Sequence, residues 1–295
     1  DILSSERLSE YNAKGYIAAS LEYSCHNGKT FSLNELKKVS EYVKENNKIF
    51  VVNIDRIIEE DELDKLHTYL DQLLTLDIDY FIYSDFAILR YFLKKGLTKK
   101  LIYDPKTLIT NYYDANIHAK EFNSLVAISN ELTLDEIKEV SKAKNCLMEV
   151  YGFHQMFYSR RALLSNYAKF KNFSDNLQNE KLVIKEENRD NLYIIYESKH
   201  GTFIYTPYIY CLFKELSELP DLKFIRINSN FLEEDKIIQV VNIYNELLLD
   251  FTKKDELYAK LQEIDARIDS GFLYKKSILL KEEVRWLNYL LLLEI

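Results

Sequence analysis

The side chains able to do chemistry in this 295-residue chain stand singly, not at the spacings that familiar sites require. There is no Gly-x-Ser-x-Gly elbow, no His-Glu-x-x-His, no glycine-rich phosphate loop and no Gly-x-Gly-x-x-Gly after a strand, so no self-sufficient nucleophile, zinc or dinucleotide motif is written locally. The histidines, His26, His67, His118, His154 and His200, have no pair at i, i+3 or i+4, which points to surface or loop positions and not to ligands. The cysteines, Cys25, Cys146 and Cys211, are odd in number and widely separated. That pattern suits neither a disulfide framework nor a closed metal site, and it fits a reducing compartment. The acidic run IIEEDELDKL reads as a solvated cap, because carboxylates are favourable at a helix N-terminus. In YSRRALLSNY, the adjacent Arg160 and Arg161 could clamp a carboxylate or phosphate with two guanidinium forks. Structural pairing with the many Asp and Glu residues is an equal alternative.

These groups need a scaffold, and the chain writes one as a repeating rhythm. Ile2–Ser4 and Tyr16–Leu21 read as strands, with Glu6–Lys14 helical between them. In FSLNELKKVSEYVKENN, Ser32 stands three residues before Glu35, and Leu33, Leu36, Val39 and Val43 share one face, so the spacing predicts a capped amphipathic helix. Strand KIFVVNID, helix EDELDKLHTYLDQLL, strand YFIYS, helix FAILRYFLKK, strand KLIYD, a helix around Ala115–Phe122, strand SLVAIS, helix LTLDEIKEVSKA and strand CLMEVYG continue it. Apolar strands so evenly interleaved with helices suit a parallel sheet covered on its outer face.

After Gly152 the rhythm breaks. Residues 154–200 read as polar and irregular, ending in a hairpin, NLYIIYESKHGTFIYTP, turned at Lys199–Gly201. Strand KFIRINS and helix EEDKIIQVVNIYNELLLDF then supply an eighth unit. The expected fold is therefore α/β: a TIM-like (β/α)8 barrel over residues 1–251, with an irregular insertion at 154–208 between the seventh and eighth units, and a C-terminal helical extension at 252–295. In that extension Leu257, Leu261, Ile264 and Ile268 fall at helical spacing. The closing WLNYLLLLEI is too short to span a bilayer and too apolar to be left in water, so it is expected to dock within the chain or at a subunit interface. Barrels of this kind build their sites at the carboxyl ends of the strands. Asn53, Asp85, Asp104, Glu149 and Arg226 fall on or just past such ends.

Composition narrows the function classes. A net charge of −8 opposes unspecific binding to nucleic acid, since that affinity comes largely from cations displacing counterions, so any RNA contact must be local. Six glycines and three prolines against 23 tyrosines argue for long regular elements and against disorder. With no charged-then-apolar leader at Asp1 and no apolar run long enough to span a bilayer, the expectation is a cytoplasmic protein with no membrane partner.

The segment VYGFHQMFYSRRALLSNY, residues 150–167, resembles a stretch of the peptidase U32 family, also called collagenase-like peptidases: a valine, a His-Gly, a cysteine, a Tyr-Ser-Gly-Arg-Cys core and a Leu-Leu-Ser. The resemblance runs on through FSLNELKKVSEYVKENNKIFVVNIDRIIEEDELDKL, YFIYSDFAILR, ENRDNLYIIYESKHGTFIYTPYIYCLFKELSELPDLKFIRINS and RIDSGFLYKKS, covering most of residues 1–276. It implies a barrel domain used by oxygen-independent hydroxylases of tRNA, ribosomal RNA and ubiquinone, several of which hold a 4Fe-4S cluster on four cysteines. In this chain the first two cysteine positions correspond to Gln155 and Ala162, none lies between Asn166 and Arg189, and Cys211 alone is retained. The family's His-Gly is Tyr151-Gly152, and its Gly-Arg is Arg160-Arg161. One thiolate cannot hold a cluster that takes four, so no cofactor and no metal is expected, and Cys25 and Cys146 read as small buried apolar residues.

In some bacteria, tRNA-hydroxylating members of this family occur as a short, cysteine-poor chain beside a longer cluster-bearing one, and the present sequence resembles the shorter. The resemblance implies a degenerate, cluster-free accessory subunit in forming 5-hydroxyuridine at the tRNA wobble position. Its partners would be a longer cysteine-bearing U32 paralogue, tRNA, or a small carboxylate. Arg161, Arg189 and Arg226 would be anion contacts, with Asn53, Asp85, Asp104, Glu149 and Tyr158 lining the mouth. A U32-type peptidase and a non-enzymatic scaffold are the alternatives.

Overall fold

Ser32 shows how local chemistry starts each unit. Its hydroxyl accepts from the Glu35 N–H while the Glu35 carboxylate accepts from the Ser32 N–H at 2.8 Å, satisfying two donors that a helix start leaves free. Thr133 and Glu136 do the same further on. The computed structural model describes residues 1–275 apart from His26, Glu186, Asn188 and Arg189. Its first half alternates as the sequence rhythm predicts: β1 (Gly15–Ser20), β2 (Thr30–Phe31), α1 (Leu33–Glu45), β3 (Ile49–Asn53), α2 (Leu63–Leu73), β4 (Tyr80–Tyr83) and α3 (Phe86–Lys95). Then come β5 (Leu101–Tyr103), α4 (Tyr112–Glu121), β6 (Leu125–Ala127), α5 (Leu134–Ser141) and β7 (Cys146–Gly152).

The next segment is β8 (Gln155–Ser159), α6 (Leu163–Lys171), β9 (Leu182–Lys185), β10 (Leu192–Ser198) and β11 (Gly201–Tyr205). The chain then gives β12 (Ile209–Cys211), β13 (Phe224–Ile227), α7 (Glu234–Leu249), α8 (Lys254–Ile264) and β14 (Ile268–Asp269). One sheet runs β14-β12-β7-β6-β5-β4-β3-β1-β2, with β13 also paired to β7. Its ladders are parallel except β12 on β7. A second, antiparallel sheet runs β8-β11-β10-β9.

Side chains alternate across each strand of the main sheet. Phe50, Val52, Phe81 and Tyr83 join the large core. The intervening Val51, Ile82, Ile102, Ala127 and Leu147 form a second, separate cluster. The sheet curls around that cluster: Tyr80 of β4 meets Phe224 of β13 edge to face at 5.6 Å, whereas strands four places apart in a flat sheet would stand roughly 19 Å apart.

The architecture is mixed α/β with a mostly parallel sheet, as expected, and among the described residues its ladder is traced as an open path. The structure corrects three expectations. Ile2–Ser4 is not a ladder strand, although the Asp1 nitrogen donates to the Ile227 carbonyl and the Ile2 N–H to the Ile17 carbonyl. Glu6–Lys14 holds a single 3-10 turn, Leu8–Glu10, because only Leu8 and Tyr11 of this stretch are buried and Gly15 follows in close contact with Ile49. The segment read as irregular builds most of the second sheet; β8 and β9 are largely exposed and do not carry the continuous apolar runs of the core strands. Towards the C-terminus α8 ends at Ile264, and Ile268 enters β14 beside β12. WLNYLLLLEI lies outside the described residues. No helix among the described residues is long and apolar enough to cross a membrane.

Candidate functional site

The site follows from strand parity. Two residues beyond Val51, Ile102, Leu147 and Phe224 of the inner cluster stand Asn53, Asp104, Glu149 and Arg226, so alternation turns all four onto the curled face at the carboxyl ends of β3, β5, β7 and β13. One step further lie Asp55, Lys106 and Asn228. A layer of buried charge thus caps an apolar one.

Arg226, 3% exposed, is held by carboxylates on three sides: Asp1 at 3.0 Å, Asp104 at 3.4 Å and Glu149 at 3.9 Å. Lys106 bridges Asp104 at 2.8 Å and Asp55 at 3.2 Å. Asp55 also accepts from the Ser24 hydroxyl and the Cys25 N–H, both at 2.9 Å. Burial opposes its charge, but the Lys106 ammonium and these two donors hold the Asp55 carboxyl well below the usual range. Burial also opposes the charge on Lys106, yet Asp104 and Asp55 hold its ammonium above the ordinary value. Glu149 goes the other way: burial raises its carboxyl, against Arg226 and the Asn228 amide that donates to it at 3.1 and 3.2 Å.

Beside Glu149, His154 is 7% exposed, and burial depresses its imidazole to about 3, so it stays neutral at physiological pH. Its Nε2 lies 3.3 Å from Glu149 Oε1 yet is not aimed at it, and makes no hydrogen bond among the described residues. The Asn130 and Asn230 side-chain oxygens nearby are likewise unpartnered. All three residues line a cavity of about 360 Å³, together with Lys106, Glu149, Arg226 and Asn228. Gln155, Met156, Tyr193 and Tyr205 of the antiparallel sheet form its other side.

Four carboxylates, Asp1, Asp55, Asp104 and Glu149, answer two cations here. An added anion would have to displace Asp1 or Asp104 from Arg226, whereas a neutral ligand bearing hydrogen-bond donors would meet carboxylates and amide oxygens. The one cysteine lining the cavity, Cys25, is not activated: burial pushes its thiol up to about 12.

Of the residues singled out from sequence, Asp104, Glu149 and Arg226 come together. Asn53 is 1% exposed at the end of β3, with its side-chain oxygen unpartnered among the described residues, and does not line the cavity. Asp85 caps α3, accepting from the Ala87 N–H, and ties in the loop after β3 through the Ile58 N–H. Tyr158 donates to the His200 carbonyl and stacks on Phe203, outside the cavity lining. Arg161 is exposed before α6, and its neighbour Arg160 pairs with Glu59. Arg189 lies outside the described residues.

Asp1, Asp55, Lys106, His154, Asn228 and Asn230 were not singled out. The signal for three of them was the spacing of two beyond residues already chosen: Asn53 to Asp55, Asp104 to Lys106, Arg226 to Asn228. His154 lies in the loop between β7 and β8 and His118 on α4, and both are buried.

The residues present do not fit a four-thiolate cluster. Gln155 lines the cavity, but Ala162 is exposed ahead of α6. Cys211 faces the large core with its sulfur 3.7 Å from the Tyr244 hydroxyl, its thiol raised by burial to about 12. Among the described residues no group of three or more His, Cys, Asp and Glu side chains is arranged to hold a metal ion.

A charged cavity at the strand ends of a curled, mostly parallel sheet, walled by a small antiparallel sheet, defines an α/β protein whose chemistry is assembled between a scaffold and an insert. The chain belongs to peptidase family U32, whose model matches residues 13–281. It is 26% identical over 291 residues, 92% of this chain and 94% of the relative, to tRNA hydroxylation protein P2 of Bacillus subtilis. To an uncharacterized protease of Methanocaldococcus jannaschii it is 28% identical over 269 residues, 84% of this chain but only 65% of that relative. A solved U32 peptidase structure superposes with a TM-score of 0.44 at 12% identity, covering 75% of this chain and 87% of that one.

Proposed function

We propose that this chain is an accessory subunit in tRNA wobble-uridine 5-hydroxylation, acting in the cytoplasm without an iron-sulfur cluster of its own beside a longer cysteine-bearing U32 paralogue. The observation that carries the reading is the match to a tRNA hydroxylation protein along 92% of this chain and 94% of that one, with no large segment unaccounted for on either side. The buried charge layer supports a retained pocket, because ionisable groups are costly to bury unless paired and would drift to apolar residues in an inert scaffold. In this reading the sheet is functionally an eight-stranded barrel, with Asp1 and Ile2 as the segment between β13 and β1; their backbone bonds to Ile227 and Ile17 support it.

Deleting the gene should abolish 5-hydroxyuridine in hydrolysed cellular tRNA, read by nucleoside mass spectrometry, and the tagged protein should copurify with the cysteine-bearing paralogue. Unchanged modification in the deletion strain overturns the proposal. A peptidase reading draws on the protease relative. Against it, the cavity's one cysteine has its thiol at about 12, and His154 Nε2 makes no hydrogen bond to a nucleophile among the described residues.

A further inference from the structure

Helix α6 carries a surface that neither the cavity nor the fold uses. It buries only Leu164 and Ala168, one turn apart, and leaves Tyr167, Phe170 and Phe173 49%, 78% and 53% exposed. Tyr167 and Phe173 meet edge to face at 6.0 Å, and the Lys171 ammonium sits 5.6 Å from the centre of the Phe170 ring. Aromatics at such positions normally find a core, and a cluster left in water marks an interaction surface.

The charge around them is one-sided. From Arg160 to Ser174 the sequence holds Arg160, Arg161, Lys169 and Lys171 and no acidic residue, in a chain of net charge −8. Arg160 is matched by Glu59. Arg161, Lys169 and Lys171 are exposed. Asp175 follows this stretch in sequence, and Glu197 is fully buried beneath the helix, where it accepts from the Leu164 and Ser165 N–H groups. Arg160, ahead of α6, pairs with Glu59, which follows the loop that carries Asp55.

We propose that α6 and its flanks form a platform for unpaired RNA, with bases stacking on Tyr167, Phe170 and Phe173 and phosphates meeting Arg161, Lys169 and Lys171. Exposed rings accept any base face, and nearby cations follow the backbone. The acidic remainder of the protein repels RNA elsewhere, so affinity concentrates at this face. The choice of RNA over a protein partner rests on this charge pattern and, for tRNA as the source, on the role proposed above.

The test uses the full chain and a fluorescein-labelled hairpin RNA with a uridine-containing loop, followed by anisotropy, with the fully paired duplex as competitor. The wild-type chain should bind the hairpin and prefer it to the duplex. Phe170→Ala and Tyr167→Ala should each weaken binding about tenfold, and the Lys169→Glu, Lys171→Glu double variant should lower the salt dependence by about two released counterions. All these side chains are exposed, so an unchanged thermal midpoint confirms that the fold is intact. Hairpin binding that is absent, or unaffected by every one of these variants, overturns the platform. So does loss of copurification with the paralogue while hairpin binding persists, since the face is then a protein interface. Separation from the functional reading is direct: α6-dependent RNA binding with unchanged hydroxyuridine in the deletion strain sinks the tRNA role alone, and loss of hydroxyuridine without hairpin binding sinks the platform alone.

Discussion

The two sheets of this protein handle polarity in opposite ways. At the strand ends of the curled sheet, Asp55, Asp104, Glu149 and Arg226 are buried and must answer one another. On the antiparallel insert the reverse holds: Phe157, Ile184, Phe170 and Phe173 stand in water with no core to join. Buried charge is tolerated only when paired, and removing one partner strands the others. Exposed apolar groups cost the fold little and persist where something outside the chain covers them. The first region should therefore be intolerant of single substitutions, and the exposed face of the insert nearly indifferent to them in stability.

The largest effect should come from Arg226→Ala. It leaves the Asp1, Asp104 and Glu149 carboxylates without the guanidinium they share, and denaturant unfolding should report a loss of about 3–5 kcal/mol. A loss below about 1 kcal/mol would mean that water already screens the cluster, and the contrast between the sheets would fail. Next is Glu197→Ala, where the insert itself depends on a buried charge. Glu197 is 0% exposed and holds α6 by accepting from the Leu164 N–H at 2.7 Å, the Thr202 hydroxyl at 3.2 Å and the Ser165 hydroxyl. Truncation should cost about 2–3 kcal/mol, since it orphans helix N-terminal donors and removes an anion from that end of the dipole. It should also open the segment after α6 to protease. Glu197→Gln, which keeps an acceptor, should lose less.

His154 sharpens the comparison through pH. Burial holds its folded-state pKa near 3, below the ordinary 6.5. Between those values the unfolded chain binds a proton that the folded chain does not, so this group makes stability fall as the medium is acidified from 6.5 towards 3. Moving from pH 7 to pH 5 should cost the wild type about 2 kcal/mol more than His154→Gln in urea unfolding. Equal losses would mean that the imidazole is protonated in place, with Glu149 as its partner.

Much of this was legible in the sequence, for physical reasons. Period and capping are local, so the Ser32–Glu35 box, the helix–strand rhythm and the turn at Lys199–Gly201 all stand where the residues put them. Parity on a strand is local as well, which is why Asp104, Glu149 and Arg226 were found. What could not be read was whatever depends on distant chain meeting distant chain: Asp1 against Arg226, and His154 buried in the cavity wall beside the insert. The insert was misread because β8 and β9 bury almost none of their residues and so lack the apolar signature of the core strands.

The smallest effect is predicted at Phe170, 78% exposed near the end of α6. Phe170→Ala removes a large ring, yet almost none of that ring is withdrawn from water on folding, so urea unfolding should shift by less than about 0.5 kcal/mol. A buried phenylalanine lost the same way would cost about 3–5 kcal/mol. That difference, measured between Phe170→Ala and Phe203→Ala on the adjacent strand β11, where Phe203 is 1% exposed, tests whether the outer face of the insert contributes to the fold at all. A large loss at Phe170 would mean that the chain itself covers this ring, and the surface would then be part of the core and not a place for a partner.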